Sequence, residues 1–138
     1  MKFIQMGTDS MDLSDLKAKD LMDTEPLAVH PSEQIAAVDL LMSRNKLGGI
    51  PVVDGGSLMG LITMRDIMLS RFSLCVDGMK VEDLMRRNPA FVTPESSLKE
   101  VLNIIVNQQV DQIPVIENGE VVGIITNDKL LKNLVAFI

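Results

Sequence analysis

Polar and apolar positions along this chain follow two alternating periods. In "PESSLKEVLNIIVNQ", Leu98, Val101, Leu102 and Ile105 fall at i, i+3, i+4 and i+7, the stripe of an amphipathic helix. In "PSEQIAAVDLLMSRN", Ile35, Val38 and Met42 hold the same stripe, and Leu40 and Leu41 widen it. Ser32 and Ser96 stand where N-caps are expected. Each helix leads into two β-rich runs around a tight turn. "GIPVVDGGSLMGLIT" turns at Gly55-Gly56, and "QIPVIENGEVVGIIT" turns at Asn118-Gly119, a strong hairpin signal between apolar runs. A short apolar stretch between prolines, Leu27–His30 or Ala90–Thr93, precedes each helix and reads as a brief strand. A second helix follows each hairpin, over Met64–Phe72 and from Asn127 to about Val135.

The two series are one series written twice. Sliding the chain by 63 positions lays residues 20–70 over 83–133 without a gap, and 14 of the 51 pairs are identical. The identities include Asp20-Leu21-Met22 with Asp83-Leu84-Met85, Ile50-Pro51-Val52 with Ile113-Pro114-Val115, and Gly60, Ile62 and Thr63 with Gly123, Ile125 and Thr126. The expected fold is therefore α/β in the α+β sense: two tandem β-α-β-β-α repeats packed with pseudo-twofold symmetry. The expected boundaries are an N-terminal segment 1–18, a first repeat 19–73, a linker 74–80 and a second repeat 81–138. One such unit alone leaves a sheet face poorly covered, and two packed together bury it. Seams between packed lobes are favoured places for small-ligand sites.

Composition narrows the chemistry. The chain is 46% apolar and only 3% aromatic, with no Trp or Tyr and a net charge of −6. Base stacking and general phosphate-backbone attraction are both unsupported, so no nucleic-acid partner is expected. The N-terminal "MKFIQMGTDS" lacks the apolar block of a signal peptide, and no apolar run reaches the ~20 residues needed to cross a bilayer. No membrane association is expected, and the location read from these features is cytoplasmic, with Cys75, the single cysteine, fitting a reducing compartment. His30 is the only histidine, so one chain cannot assemble a Ser-His-Asp or Cys-His set, and no enzymatic activity is expected. Met59, Met64 and Met68, among ten methionines, suit an adaptable interface.

The run "KAKDLM", with its Pro26, Val29 and Pro31, then "IPVVD" and "GLITMRDI", resembles the cystathionine-β-synthase (CBS) domain, and "VEDLM" through "QIPVI" to "GEVVGIIT" resembles a second copy. The resemblance spans roughly Lys19 to Leu134 and implies a tandem pair, or Bateman module. Pairs of this family bind adenosine-containing ligands, among them AMP, ADP, ATP and S-adenosylmethionine, in clefts between the copies. They regulate an attached or associated protein, and two pairs commonly associate. The resemblance thus implies a stand-alone regulatory sensor that needs no cofactor, takes AMP or another adenosine derivative, forms a homodimer and alters a regulated protein partner. A ligand-free pair that serves only in assembly is the alternative.

The family's ligand motif, Gly, two apolar residues, Thr or Ser, two variable residues and Asp, is met by Gly60, Leu61, Ile62, Thr63, Met64, Arg65 and Asp66. At a strand-to-helix junction, free N–H groups near Thr63 would favour an anion, and Asp66, an acceptor-only carboxylate, could take both ribose hydroxyls. Thr-x-x-Asp is equally the pattern of a capping box, and for Asp66 the two roles compete. By resemblance the Asp66 cleft would use Leu61, Thr63, Arg65 and Asp66 from the first copy and Met85, Ala90, Phe91, Val110 and Asp111 from the second. The backbone at Ala90 would face adenine between Leu61 and Val110, and Arg65 would meet phosphate. The second copy departs from the motif, with Lys129 at the position of Asp66. Gly48 and Gly49 stand where some nucleotide-binding members carry basic residues, which favours AMP or S-adenosylmethionine over ATP.

Overall fold

The computed structural model describes residues 4–6, 9–72 and 78–138. Cys75 and the first part of the 74–80 linker lie outside the described residues. In chain order the elements are β1 (Ile4–Met6), β2 (Asp9–Met11), α1 (Ala18–Leu21), α2 (Ile35–Arg44), β3 (Gly49–Asp54), β4 (Ser57–Thr63) and α3 (Met64–Ser70). Then follow α4 (Val81–Leu84), β5 (Arg86–Arg87), α5 (Leu98–Gln108), β6 (Gln112–Glu117), β7 (Glu120–Thr126) and α6 (Asn127–Val135). A 3-10 turn at Leu13–Asp15 leads into α1.

These elements form two compact units, Leu27–Pro89 and a second made of Met1–Pro26 with Ala90–Ile138. The sequence repeat and the compact unit are thus offset by one segment. The Asp-Leu-Met segment of each copy folds with the helices and hairpin of the other. Leu21 is fully buried in the core with Val101, Ile113, Ile125 and Leu130. Val81 is fully buried in the other core with Val38, Ile50, Ile62 and Ile67. The repeated acid explains itself locally: Asp20 accepts from the Lys17 N–H at 2.9 Å, and Asp83 accepts from the Lys80 N–H at 2.8 Å. Each closes the start of a four-residue helix, too short to show a hydrophobic period.

Both hairpins form as their turns predict. Gly55 and Gly56 have φ of 58° and 86°, and Asn118 and Gly119 have 52° and 80°, the positive values that a tight two-residue turn requires. β3 pairs antiparallel with β4, and β6 with β7, in equivalent registers with a bulge at the same point. The expected strands before the helices shrink to one bridging residue each. Val29 donates to the Pro51 carbonyl at 3.1 Å and accepts from Val53 at 2.8 Å; Val92 does the same with Pro114 and Ile116 at 3.0 and 2.8 Å. Proline on each side of these stretches removes the N–H donors that a longer ladder needs.

The helix starts are corrected as well. α2 begins at Ile35 behind Gln34, and α5 begins at Leu98 behind Ser97, whose hydroxyl accepts from the Glu100 N–H at 3.1 Å. Ser96 instead accepts from Thr93, and Ser32 sits beside the His30 ring. Ile35, Val38 and Met42 are buried as expected, whereas Leu40 is more than half exposed and does not widen the stripe. α3 stops at Ser70, two residues before the expected end. No helix of the described residues is long and apolar enough to cross a membrane.

Candidate functional site

In the unit Leu27–Pro89, β4 delivers Leu61 and Thr63 to the start of α3. Leu61 is buried, and Thr63 is the N-cap, with φ −112° and ψ 156°. The box is closed in both directions. The Thr63 hydroxyl oxygen accepts from the Asp66 N–H at 3.2 Å, while Asp66 Oδ2 accepts from the Thr63 N–H at 3.2 Å and from the Thr63 hydroxyl at 2.8 Å. The Met64 N–H is bound to the Gly48 carbonyl at 2.8 Å. The backbone donors of Thr63, Met64 and Asp66 are therefore all taken. Of the N–H groups expected to be free near Thr63, these three are spent on the fold, and an anion here would rely on the Arg65 N–H and on side chains.

The cation that reaches Asp66 is one the sequence reading did not single out. Arg86, on β5, lies opposite Leu61 in the β4–β5 register. Its Nε donates to Asp66 Oδ2 and Oδ1 at 3.2 and 3.4 Å, and Nη2 donates to Oδ1 at 3.3 Å. The Asp66 side chain is 16% exposed and that of Arg86 52%, so the pair sits at the surface with its carboxylate sheltered. β5 comes this close because position 60 has no side chain. A Cβ there would lie 2.6 Å from the Arg86 carbonyl oxygen and 2.9 Å from the sulfur of Met85, which is itself buried. Arg65 is exposed on α3 and makes no ion pair among the described residues.

Ala90, Phe91, Val110 and Asp111 belong to the other compact unit. There, Ala90 and Phe91 precede the Val92 bridge, Ala90 half-buried and Phe91 exposed. Val110 is half-buried and packs against the core of that unit. Asp111 is exposed, and its carbonyl accepts from the Asn127 N–H at 3.0 Å, at the entrance of α6.

Arg86 was legible in one way. At the 63-residue offset Asp66 pairs with Lys129 and Arg86 with Asp23, so both positions reverse charge between the copies. Chemically, a carboxylate beside a guanidinium can accept hydroxyl donors and, through the guanidinium, face an anion. Among the described residues no group of three or more His, Cys, Asp and Glu is arranged to hold a metal ion.

Comparison with known proteins gives this arrangement a family. The sequence model of the CBS domain matches residues 18–72 and 81–136. The CBS domain-containing protein YhcV of Bacillus subtilis is 31% identical over 116 residues, covering 83% of each chain. Inosine-5'-monophosphate dehydrogenase of Mycobacterium tuberculosis is 34% identical over 115 residues, which cover 80% of this chain and only 21% of the enzyme. Among solved structures, CBSX2 of Arabidopsis thaliana in complex with AMP superposes with a TM-score of 0.78 at 22% identity, over 87% of this chain and 96% of that one. The CBS domain pair of protein MJ0100, in complex with 5'-methylthioadenosine and S-adenosyl-L-methionine, superposes with a TM-score of 0.78 at 22% identity, over 88% and 97%. At these identities the structural likeness is one of fold. With the family model matched twice and nearly end to end, the chain belongs to the CBS domain family and carries two copies of its domain.

Proposed function

We propose that this chain is a regulatory module that binds one adenosine derivative at Asp66 and thereby alters the activity of a protein partner. The observation that carries the reading is the motif Gly60 to Asp66 on β4 and α3, with a sheltered carboxylate and a guanidinium beside it. AMP and S-adenosylmethionine in two CBS pairs of the same fold support the ligand class. Leu61, Thr63, Arg65, Asp66 and Met85, with Ala90, Phe91, Val110 and Asp111, are the proposed contacts. The role is regulatory rather than catalytic, since the dehydrogenase is matched over only about a fifth of its length. We place the protein in the cytoplasm, without membrane or nucleic-acid partners.

The reading includes a homodimer. Met68, Leu69 and Phe72 at the end of α3, and Leu131, Val135 and Ile138 at the end of α6, are all more than half exposed. Two apolar ends at equivalent places suit burial against a second copy. Light scattering at tens of micromolar is expected to give twice the 15.2 kDa chain mass, and a monomer would remove this part of the proposal.

The ligand reading has one sharp test. Asp66→Ala removes an ionised acceptor worth roughly 1.5–3 kcal/mol per hydrogen bond, so affinity for AMP is expected to fall about a hundredfold. The closed capping box favours a second reading, a ligand-free pair serving only in assembly, in which Asp66 has no role beyond the fold. That reading expects a stability loss of about 0.5–2 kcal/mol and no adenosine binding to lose. Calorimetric titration of the wild-type and variant proteins, beside their melting curves, separates the two.

A further inference from the structure

We infer that Arg86 sets the preference of the Asp66 site for nucleotides over nucleosides, by exchanging the Asp66 carboxylate for the ligand's phosphate. The inference rests on the adenosine reading above and adds to it the residue that selects among adenosine compounds.

Both Asp66 oxygens accept from the Arg86 guanidinium, and Oδ2 also accepts twice from Thr63. A diol that takes this carboxylate needs lone pairs now held by Arg86, so binding must loosen the ion pair. The exchange is feasible because the guanidinium is half exposed, where such pairs contribute little. The rest of the box stays in place, since Thr63 is bound within its own turn. The released guanidinium has then lost its partner. A ligand with a phosphate returns one, in the geometry that a planar fork recognises best. Neutral adenosine returns nothing, and a sulfonium ligand adds a like charge. The backbone at the α3 entrance offers a phosphate little beyond the Arg65 N–H, because the N–H groups of Thr63, Met64 and Asp66 are occupied. Arg65 is the rival cation, but it has no contact with the carboxylate that the ligand must win.

The test is calorimetric titration of the full chain with AMP and with adenosine, in wild type, Arg86→Gln, Arg65→Gln and Asp66→Asn. Wild type is expected to bind AMP about tenfold more tightly than adenosine, the scale of one exposed charge-assisted contact. Arg86→Gln is expected to bring the two affinities within about twofold, by weakening AMP while adenosine holds or improves, and Arg65→Gln to keep most of the preference. Rising salt should erode the wild-type preference and leave Arg86→Gln unmoved. Arg86 lies exposed on a two-residue strand, and melting curves check that its variant is folded. A preference that survives in Arg86→Gln, or one that collapses in Arg65→Gln instead, overturns this inference while leaving the adenosine site standing. A wild-type protein that binds neither compound, or binds both regardless of Asp66→Asn, overturns the site itself and the inference with it.

Discussion

The two strand-to-helix junctions share a backbone and differ in charge. At β4–α3, Thr63 and Asp66 bond reciprocally and Arg86 closes over the carboxylate. At β7–α6, Thr126 still accepts from the N–H three residues on, at 3.1 Å, but that residue is Lys129, which has no acceptor to return. The strand position opposite is Asp23 in place of Arg86, joined to Ile124 by backbone bonds of 2.8 and 3.0 Å. Its carboxylate turns to the Glu25 N–H at 3.0 Å, and no ion pair forms with Lys129 among the described residues. The fold thus keeps the cap hydroxyl and the close strand at both junctions, and lets the charges invert. What the fold requires is repeated; what varies is free to serve a ligand.

The strongest test of that division lies at the glycines. A Cβ at position 123 would meet the Met22 sulfur at 2.5 Å and the Asp23 carbonyl oxygen at 2.9 Å, matching the crowding at position 60. Gly60→Val and Gly123→Val are each expected to cost about 3 kcal/mol, since a backbone oxygen cannot step aside as a side chain can. Urea unfolding measures this. A cost at one glycine and not the other would break the claim that both junctions obey the same packing rule.

The charge inversion is tested by reversing it. Lys129→Asp alone puts two acids at facing positions, whereas Lys129→Asp with Asp23→Arg rebuilds the first junction in the second. Under the proposed function the double variant is expected to raise AMP stoichiometry from one toward two per chain, and the single variant to raise it less. Calorimetric stoichiometry decides, and a wild type that already binds two would show that charge at these positions does not choose the working site.

A smaller difference lies beside α1. Lys17 and Lys19 hold Glu95 at 2.8 and 3.1 Å. The equivalent positions at the other junction are Lys80, Glu82 and Ser32, which cannot form this cluster. Hydrogen bonds from Lys17 and then Lys19 hold the Glu95 carboxyl below its ordinary pKa, so its contribution is present above the usual carboxylate range and is lost as pH falls through the lowered value. All three groups are exposed, so Glu95→Gln is expected to shift the melting temperature barely, only above that range, and not at all in high salt. Melts across pH at two salt concentrations read this.

The sequence by itself determined whatever depends on near neighbours. Turn glycines and Asn118-Gly119 specify the hairpins through positive φ. The stripe Ile35, Val38, Met42 specifies a buried helix face, and Thr-x-x-Asp specifies a cap. These are local preferences, and the gapless repeat doubled each signal. The family, and with it the ligand class to test, was also legible in the spacing of the repeated phrases. Tertiary structure decided what depends on partners distant along the chain. α1 and α4 are too short to hold themselves together, and they exist because Leu21 and Val81 are buried against residues tens of positions away. The extent of pairing at Val29 and Val92 was settled by which carbonyls β3 and β6 present. Most of all, Arg86 meets Asp66, twenty residues before it in sequence, only because β5 is drawn against a glycine on β4, and no helical or strand period connects the two.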